Sequence, residues 1–216
     1  MSVSPPDGMP EELWQRVIDS ASAPETEDVT AIATELVNWA NGRHPNDLEA
    51  MLDALREHGA YAVSLDVLES AWNSDLDPSR MGRVAEDWIG TVLHGLGDID
   101  GARVVAQHLV QDVNRLGHAF AADLGHLLLS WDMWDIAAPL IESSMAKMPG
   151  DITLRFNMGV IHKFRCQWTE SALCFEEVLK HRPDDRASAW NLGIAATGQK
   201  DWVGARRAWN MAGFQM

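Results

Sequence analysis

The sequence has few cysteines and no long apolar run. Only Cys166 and Cys174 occur among its 216 residues, which is too few for the disulfide framework of a small secreted protein. No stretch reaches the roughly 18 charge-free apolar residues of a membrane span, and the first residues lack the basic and apolar regions of a signal peptide. We therefore expect an unexported, cytoplasmic protein that does not enter membranes.

Basic residues are scarce in the first half of the chain. Residues 1–100 carry 20 acidic and 5 basic side chains, whereas residues 101–216 carry 12 of each, so the net charge of −15 arises in the first hundred residues. Such a field repels nucleic acid and anionic lipid, and it speeds encounter with a basic partner. We expect no nucleic-acid partner, and solubility alone would also account for the charge.

The residue patterns of enzymes and metal proteins are missing as well. No nucleophile, base and orienting group can be assembled from the sequence. His162 and Cys166 are one helical turn apart, but the Cys-x-x-Cys spacing of strong zinc sites is absent. Asp98-x-Asp100-Gly101 lacks the later acidic ligands of a calcium loop. We expect no catalytic activity, no metal and no cofactor.

One fixed period dominates the second half of the chain. Three residue types recur at the same interval: Trp134, Trp168 and Trp202; Gly125, Gly159 and Gly193; Pro149 and Pro183. A period of about 34 residues is typical of a stacked helical array, which offers a binding surface more often than chemistry.

Each period is predicted to be a helical hairpin. Between residues 151 and 183, Leu154, Met158 and Ile161 recur at three- and four-residue steps, which gives the first helix one apolar stripe. A glycine inside that helix costs about 1 kcal/mol relative to alanine. We interpret it as the point where the paired helix approaches closely.

The same register continues toward the N-terminus. Two spacings exceed the period by one residue: that from Gly90 to Gly125 and that from Ile99 to Trp134. They predict an earlier unit with one inserted residue. We predict an acidic, partly flexible segment with one short helix at 1–27 and N-terminal helices at 28–82. The latter include a degenerate unit at about 45–78, whose status as a true repeat stays open. Four repeats follow, at 83–117, 118–151, 152–185 and 186–216.

These residues resemble the tetratricopeptide repeat, a helical hairpin of about 34 residues with Leu-Gly in its first helix, an aromatic residue at the start of its second and a proline at its end. The last repeat matches best, through Trp190, Leu192, Gly193, Ala196, Trp202, Ala205, Trp209 and Ala212. The resemblance covers 83–216 well and 45–82 weakly. It implies an all-α, right-handed superhelix (an α-solenoid) with extra N-terminal helices.

The resemblance also implies that the first helix of each repeat lines a concave groove. The residues carried over to that groove are Asp87, Thr91, His94, His126, Leu129, Phe156, Val160, Lys163, Phe164, Trp190 and Ile194. Its C-terminal end is apolar and aromatic, and exposed apolar side chains in a concavity favour binding of an amphipathic helix or extended peptide. The alternative is that Phe156 and Trp190 pack within or between repeats.

The sequence therefore predicts a protein-binding adaptor or chaperone whose groove holds a client segment with apolar anchors or basic residues. The alternative is an inhibitory, immunity or regulatory protein that covers a basic site on an enzyme or toxin through its acidic N-terminal half. A homodimer through the last helix, which carries Trp209 and Met211, also stays open because a terminal repeat exposes an apolar face.

Overall fold

The computed structural model describes residues 5–22, 29–41, 46–74, 78–111 and 117–214. All regular structure in these ranges is helical, and none of the described helices is long and apolar enough to cross a membrane. The helices are α1 (Glu11–Ser22), α2 (Val29–Asn41), α3 (Asn46–Glu57), α4 (Tyr61–Trp72), α5 (Pro78–Gly90), a π-helix (Thr91–Gly95), α6 (Ile99–Gln111), α7 (His118–Ser130), α8 (Trp134–Lys147), α9 (Ile152–Phe164), α10 (Trp168–His181), α11 (Arg186–Gly198) and α12 (Trp202–Met211).

The chain divides into two compact units between Leu116 and Gly117. The predicted boundary between the repeats at 83–117 and 118–151 lies one residue further along the chain. The predicted boundaries at 27 and 45 lie outside the described residues. The one at 82 falls inside α5.

The C-terminal unit consists of three consecutive helical hairpins. Helices α7 and α8, α9 and α10, and α11 and α12 pair with each other, and α8 packs on α9 as α10 packs on α11. The first helices of the last two hairpins begin in the same way. The Asp151 carboxylate accepts hydrogen bonds from the backbone of Thr153 and Leu154, and Asp185, one period later, caps α11 equally. Capping of this kind fixes where each first helix starts.

The turn inside each of these hairpins has the same unusual backbone. A residue in the left-handed region follows every first helix: Asp132 (φ 59°), Cys166 (φ 57°) and Lys200 (φ 65°). In each case the next backbone N–H donates to a carbonyl five residues earlier at 2.9 Å: Met133 to Leu128, Gln167 to His162 and Asp201 to Ala196. This is a Schellman ending, which usually carries glycine at the left-handed position. The period of the sequence is therefore a period of backbone conformation as well as of side chains.

The glycines inside the first helices are points of close helix approach, as predicted. A methyl group on Gly125 would lie 2.6 Å from Ile141 of α8, and one on Gly159 would lie 2.9 Å from the Phe175 ring of α10. Gly193 faces Trp209 of α12 in the same way. The second helix can lie this close because the glycine has no side chain.

The N-terminal unit is also built from packed helices. Helix α4 contacts α1, α2, α3 and α5, so it lies at the centre of this unit, and Trp72 at its end is fully buried. Helices α3 and α4 form a hairpin through Gly59 (φ 71°), where Ala60 N–H donates to the Leu55 carbonyl at 2.9 Å. This turn has the same bond pattern as those of the C-terminal unit.

The π-helix after α5 changes the register of the repeat. Here the Asp98 N–H donates to the Val92 carbonyl, six residues earlier, at 3.1 Å. The matching bond in the next hairpin, from Met133 to Leu128, reaches back five residues. A π-helix accommodates one extra residue in a helix. Within the π-helix, Val92 takes the buried position that Leu128 has in α7, so the alignment of Gly90 with Gly125 is wrong by one residue.

Substituting the close-approach glycine tests this packing. Gly159→Ala should lower the free energy of unfolding by about 1–3 kcal/mol, because the added methyl group would overlap the buried Phe175 ring. The measurement is urea denaturation followed by circular dichroism. Gly90→Ala is the matched control: nothing lies within 4 Å of a methyl group there, so it should gain about 0.5–1 kcal/mol in helix propensity. Equal effects at both sites would contradict the close approach.

The left-handed turn residues generate a second prediction. Cys166→Gly should raise the free energy of unfolding by about 1 kcal/mol, since glycine relieves the steric cost of a positive φ. Cys166→Ala keeps the Cβ atom and should stay within about 0.5 kcal/mol of the wild type. The same denaturation assay distinguishes them. A glycine variant no more stable than the alanine variant would show that the turn does not hold this conformation in solution.

Candidate functional site

A row of side chains on the first helices of the C-terminal unit forms the candidate site. Helix α7 contacts α9, and α9 contacts α11. We call the exposed and half-buried residues along these three helices the first-helix face: His126, Phe156, Val160, Lys163, Phe164, Trp190 and Ile194. All were predicted from the sequence.

Polar contacts connect the successive first helices. His126 Nδ1 lies 3.2 Å from Asn157 Oδ1, and Lys163 Nζ donates to Asn191 Oδ1 at 2.8 Å. The Asn191 amide also donates to the Ala187 carbonyl at 2.9 Å. Asn157 and Asn191 are buried. Their interactions are internal, so they hold the helices in place rather than offering free amides to a ligand.

Two aromatic side chains on this face remain open to solvent. Phe164 stacks on Trp134 of α8, with ring centroids 5.7 Å apart and planes 4° from parallel, yet its residue is 36% exposed. Trp190 is 41% exposed, although its ring centroid lies 4.7 Å from that of Phe214 and 5.9 Å from that of Trp209. Each residue thus packs on neighbouring aromatic side chains and keeps part of its surface open to solvent.

Phe156 is a partial exception. It is half-buried and meets the ring of Phe175 edge-on at 5.5 Å. The packing interpretation therefore applies in part to Phe156, whereas Trp190 packs on Trp209 and Phe214 and still remains 41% exposed.

Lys163 gives the face a positive charge beside its aromatic rings. Its Nζ lies 5.2 Å from the Phe164 ring centroid, within the range of a cation–π contact. Burial lowers the pKa of the Lys163 ammonium below its ordinary value, because water is removed from the charge, and the nearby Asp132 carboxylate offsets part of this effect. The ammonium is therefore less well hydrated than an ordinary surface lysine.

The predicted groove residues of the N-terminal unit have different surroundings. Asp87 pairs with Arg56 of α3 at 3.1 Å. Burial raises the pKa of the Asp87 carboxyl, and the attraction of Arg56 only partly compensates. Its carboxylate already has an internal partner. His94 is exposed on the π-helix.

Two predicted groove residues have no accessible side chain. Thr91 is 2% exposed, because the π-helix shifts the register and brings it to a buried position. Leu129 is also buried, at the end of α7. Neither belongs to the surface proposed below.

Sequence reasoning missed the two residues that support the exposed rings. Trp134 belongs to the periodic tryptophan series, so its place over the following first helix could have been inferred from the period. Phe214 follows α12 and has no periodic counterpart in the sequence. No sequence signal pointed to its contact with Trp190.

Within the described ranges, no group of three or more histidine, cysteine, aspartate or glutamate side chains could hold a metal ion. His162 Nδ1 lies 2.7 Å from Gln167 Oε1, and Cys166 lies exposed in the turn that follows α9.

Comparisons with known proteins show the fold. No family model matches the chain, and no curated protein matches it. A solved structure of MamA from residue 41 to its end, from Desulfovibrio magneticus RS-1, is similar over 78% of this chain and 92% of its own, with a TM-score of 0.55 and 16% identity. A MamA structure labelled MSR-1 covers 78% of this chain and 94% of its own, with a TM-score of 0.55 and 19% identity.

A further MamA crystal structure covers 85% of this chain and 90% of its own, with a TM-score of 0.53 and 12% identity. At such identities the likeness concerns the fold alone. The predicted fold class is confirmed: the chain is an all-α protein of tetratricopeptide-like helical hairpins.

The electrostatics of Lys163 can be measured directly. Its side-chain resonance, followed by NMR in lysine-labelled protein, should titrate below the ordinary lysine range. Asp132→Asn should lower the pKa of Lys163 further, because it removes a nearby negative charge that favours the ammonium. Lys180 is the control, since Glu177 raises its pKa on another helix face, and it should not respond. A Lys163 pKa unchanged by Asp132→Asn would contradict this arrangement.

Proposed function

We propose that the chain is a protein-binding adaptor or chaperone, and that the first-helix face holds a short segment of a client protein. The observation that supports this most is the solvent exposure of Phe164 and Trp190 on neighbouring first helices. An exposed aromatic pair costs solubility unless a partner covers it. Aromatic anchors of this kind dominate the affinity of many protein interfaces.

The chemistry of the face favours a client segment with apolar side chains. Val160 and Ile194, half-buried beside the rings, extend the apolar surface. Burying one leucine or phenylalanine of a client against it would contribute about 1.5–3 kcal/mol. Lys163 could meet a carbonyl or carboxylate of the client, because an ammonium has three donors and Asn191 takes one.

A chaperone role fits this face better than the alternative of an inhibitor that covers a basic site. The inhibitor interpretation needs the acidic side chains of the first hundred residues to form the contact. Of the acidic residues predicted to line the groove there, Asp87 is already paired with Arg56. We place the main contact on the C-terminal unit, because its first helices carry the exposed Phe164 and Trp190.

The proposal can be tested by selecting peptides that bind the wild-type protein from a random display library. The affinity of the selected peptides is then measured by fluorescence anisotropy. We expect peptides with aliphatic or aromatic anchors. Trp190→Ala and Phe164→Ala should each weaken their binding at least about tenfold, the effect of losing a buried anchor. Circular dichroism of each variant confirms that the helices are retained.

Leu173→Ala is the matched control, because Leu173 is an exposed apolar side chain on α10 and belongs to neither the first-helix face nor helix α12. It should leave affinity unchanged. Affinity should also change little between about 0.05 and 0.5 M salt, since apolar contacts are not screened. The proposal would be contradicted if the selected peptides were basic, kept their affinity for the Trp190→Ala variant and dissociated at high salt. That result would favour the inhibitor interpretation.

A further inference from the structure

A second surface becomes apparent when the three periodic tryptophans are compared. Each is the first residue of a second helix. Trp134 stacks on Phe164 at the end of the next first helix, and Trp168 lies against Gly198, which follows Phe164 by one period. Both rings thus receive the helix that follows. Trp202, the third of the series, is 64% exposed.

Helix α12 presents more than this one ring. Val203 is 82% exposed and Met211 49%. With Trp202, Arg206, Arg207 and Asn210, they line a depression of about 570 Å³. We call these six residues the α12 face. Within it, Trp202 and Arg206 take the places that Trp168 and Ala172 have on α10, where α11 packs.

The α12 face differs from its internal counterparts in charge. Arg206 stands where α8 has the buried Ala138 and α10 the half-buried Ala172. Alanine suits a neutral interface in which helices lie close together, whereas arginine brings a cation to the same place. Neither Arg206 nor Arg207, both exposed, has an ion pair within the described part of the chain.

We propose that the α12 face binds a helix of a partner protein that packs on Trp202 and carries carboxylates opposite Arg206 and Arg207. The contact with Trp202 follows from the internal interfaces, where Trp134 stacks on Phe164 and Trp168 lies against Gly198. We infer carboxylates on the partner helix from charge complementarity, because each arginine can form a bidentate ion pair with one carboxylate. The partner helix would take the place that a following first helix has at the internal interfaces.

The charge also argues against a second copy of this chain docked through the same face. Two α12 faces meeting symmetrically would bring four guanidinium groups together at one interface, and like charges repel there. An acidic helix has no such cost. The α12 face is separate from the first-helix face, so the two proposals can fail independently.

The internal interface supplies a probe for this site. Ala172 of α10 lines a groove together with Leu192, Ala196 and Gln199 of α11. In a helix docked on α12, the residues equivalent to Ala196 and Gln199 would therefore lie near Arg206. The probe is a fluorescent, side-chain-stapled peptide of residues 184–199 with Ala196→Glu and Gln199→Glu. The matched control is the same stapled, fluorescent peptide with Ala196 and Gln199 unchanged.

Fluorescence anisotropy with the full chain should show that the acidic peptide binds about tenfold more tightly than the control peptide, the equivalent of two charged contacts. Trp202→Ala and Arg206→Glu should each weaken it about tenfold. A peptide with lysine in place of both glutamates should bind Arg206→Glu better than the wild type. Trp190→Ala, on the other face, should have no effect.

Several results would overturn the proposal. The proposal is wrong if the acidic peptide does not bind, if the acidic and control peptides bind with equal affinity, or if Trp202→Ala leaves the affinity of the acidic peptide unchanged. Sedimentation velocity provides a separate test: a wild-type dimer that Trp202→Ala dissociates would show that a second copy occupies this face. Trp202 and Arg206 are exposed, so both variants should fold, and circular dichroism checks this.

Discussion

The C-terminal unit depends on the contact between a glycine in each first helix and a large side chain in its partner helix. Three pairs repeat it: Gly125 with Ile141, Gly159 with Phe175, and Gly193 with Trp209. Because the glycine has no side chain, the large group fills the space between the helices and is removed from water there. Phe175 is fully buried by this means. Dense packing of this kind leaves no room for an added methyl group.

This contact determines what the other side of each first helix can do. The large groups of the second helices fill the hairpin interior, so the aromatic residues of the first helices are not required there. Trp209 illustrates the link, because its ring covers Gly193 while its indole N–H donates to the Trp190 carbonyl at 3.2 Å. Trp190 accepts this bond at its backbone, and the residue remains 41% exposed. The same packing that stabilises the hairpin thus presents the anchor that we propose for a client.

Much of this architecture could be predicted from residue spacing, because its cause is steric and recurs in every hairpin of the C-terminal unit. The close approach at Gly159 and the hairpin of α9 and α10 follow from a missing side chain and an apolar stripe. The left-handed turns had no such signal. Asp132, Cys166 and Lys200 share a backbone conformation but no chemistry, and none is the glycine that this conformation favours.

The errors in the site also have physical reasons. A π-helix changes register without any characteristic residue, so the alignment of Gly90 with Gly125 put Thr91 on a surface when it is buried. Leu129 lies at a helix end, where burial depends on the following turn rather than on the period. Phe214 contacts the Trp190 ring from beyond the last helix. Contacts of that kind are visible only in three dimensions.

The exposure of Trp190 can be measured without a partner. In protein containing 5-fluorotryptophan, with each ¹⁹F signal assigned by a Trp→Phe variant, a soluble paramagnetic agent broadens the signals of accessible rings. The structure predicts strong broadening for Trp190 and almost none for Trp72, which is 1% exposed. If the Trp190 signal were protected as fully as that of Trp72, the ring would lie inside the protein, and the first-helix face would not be a binding surface.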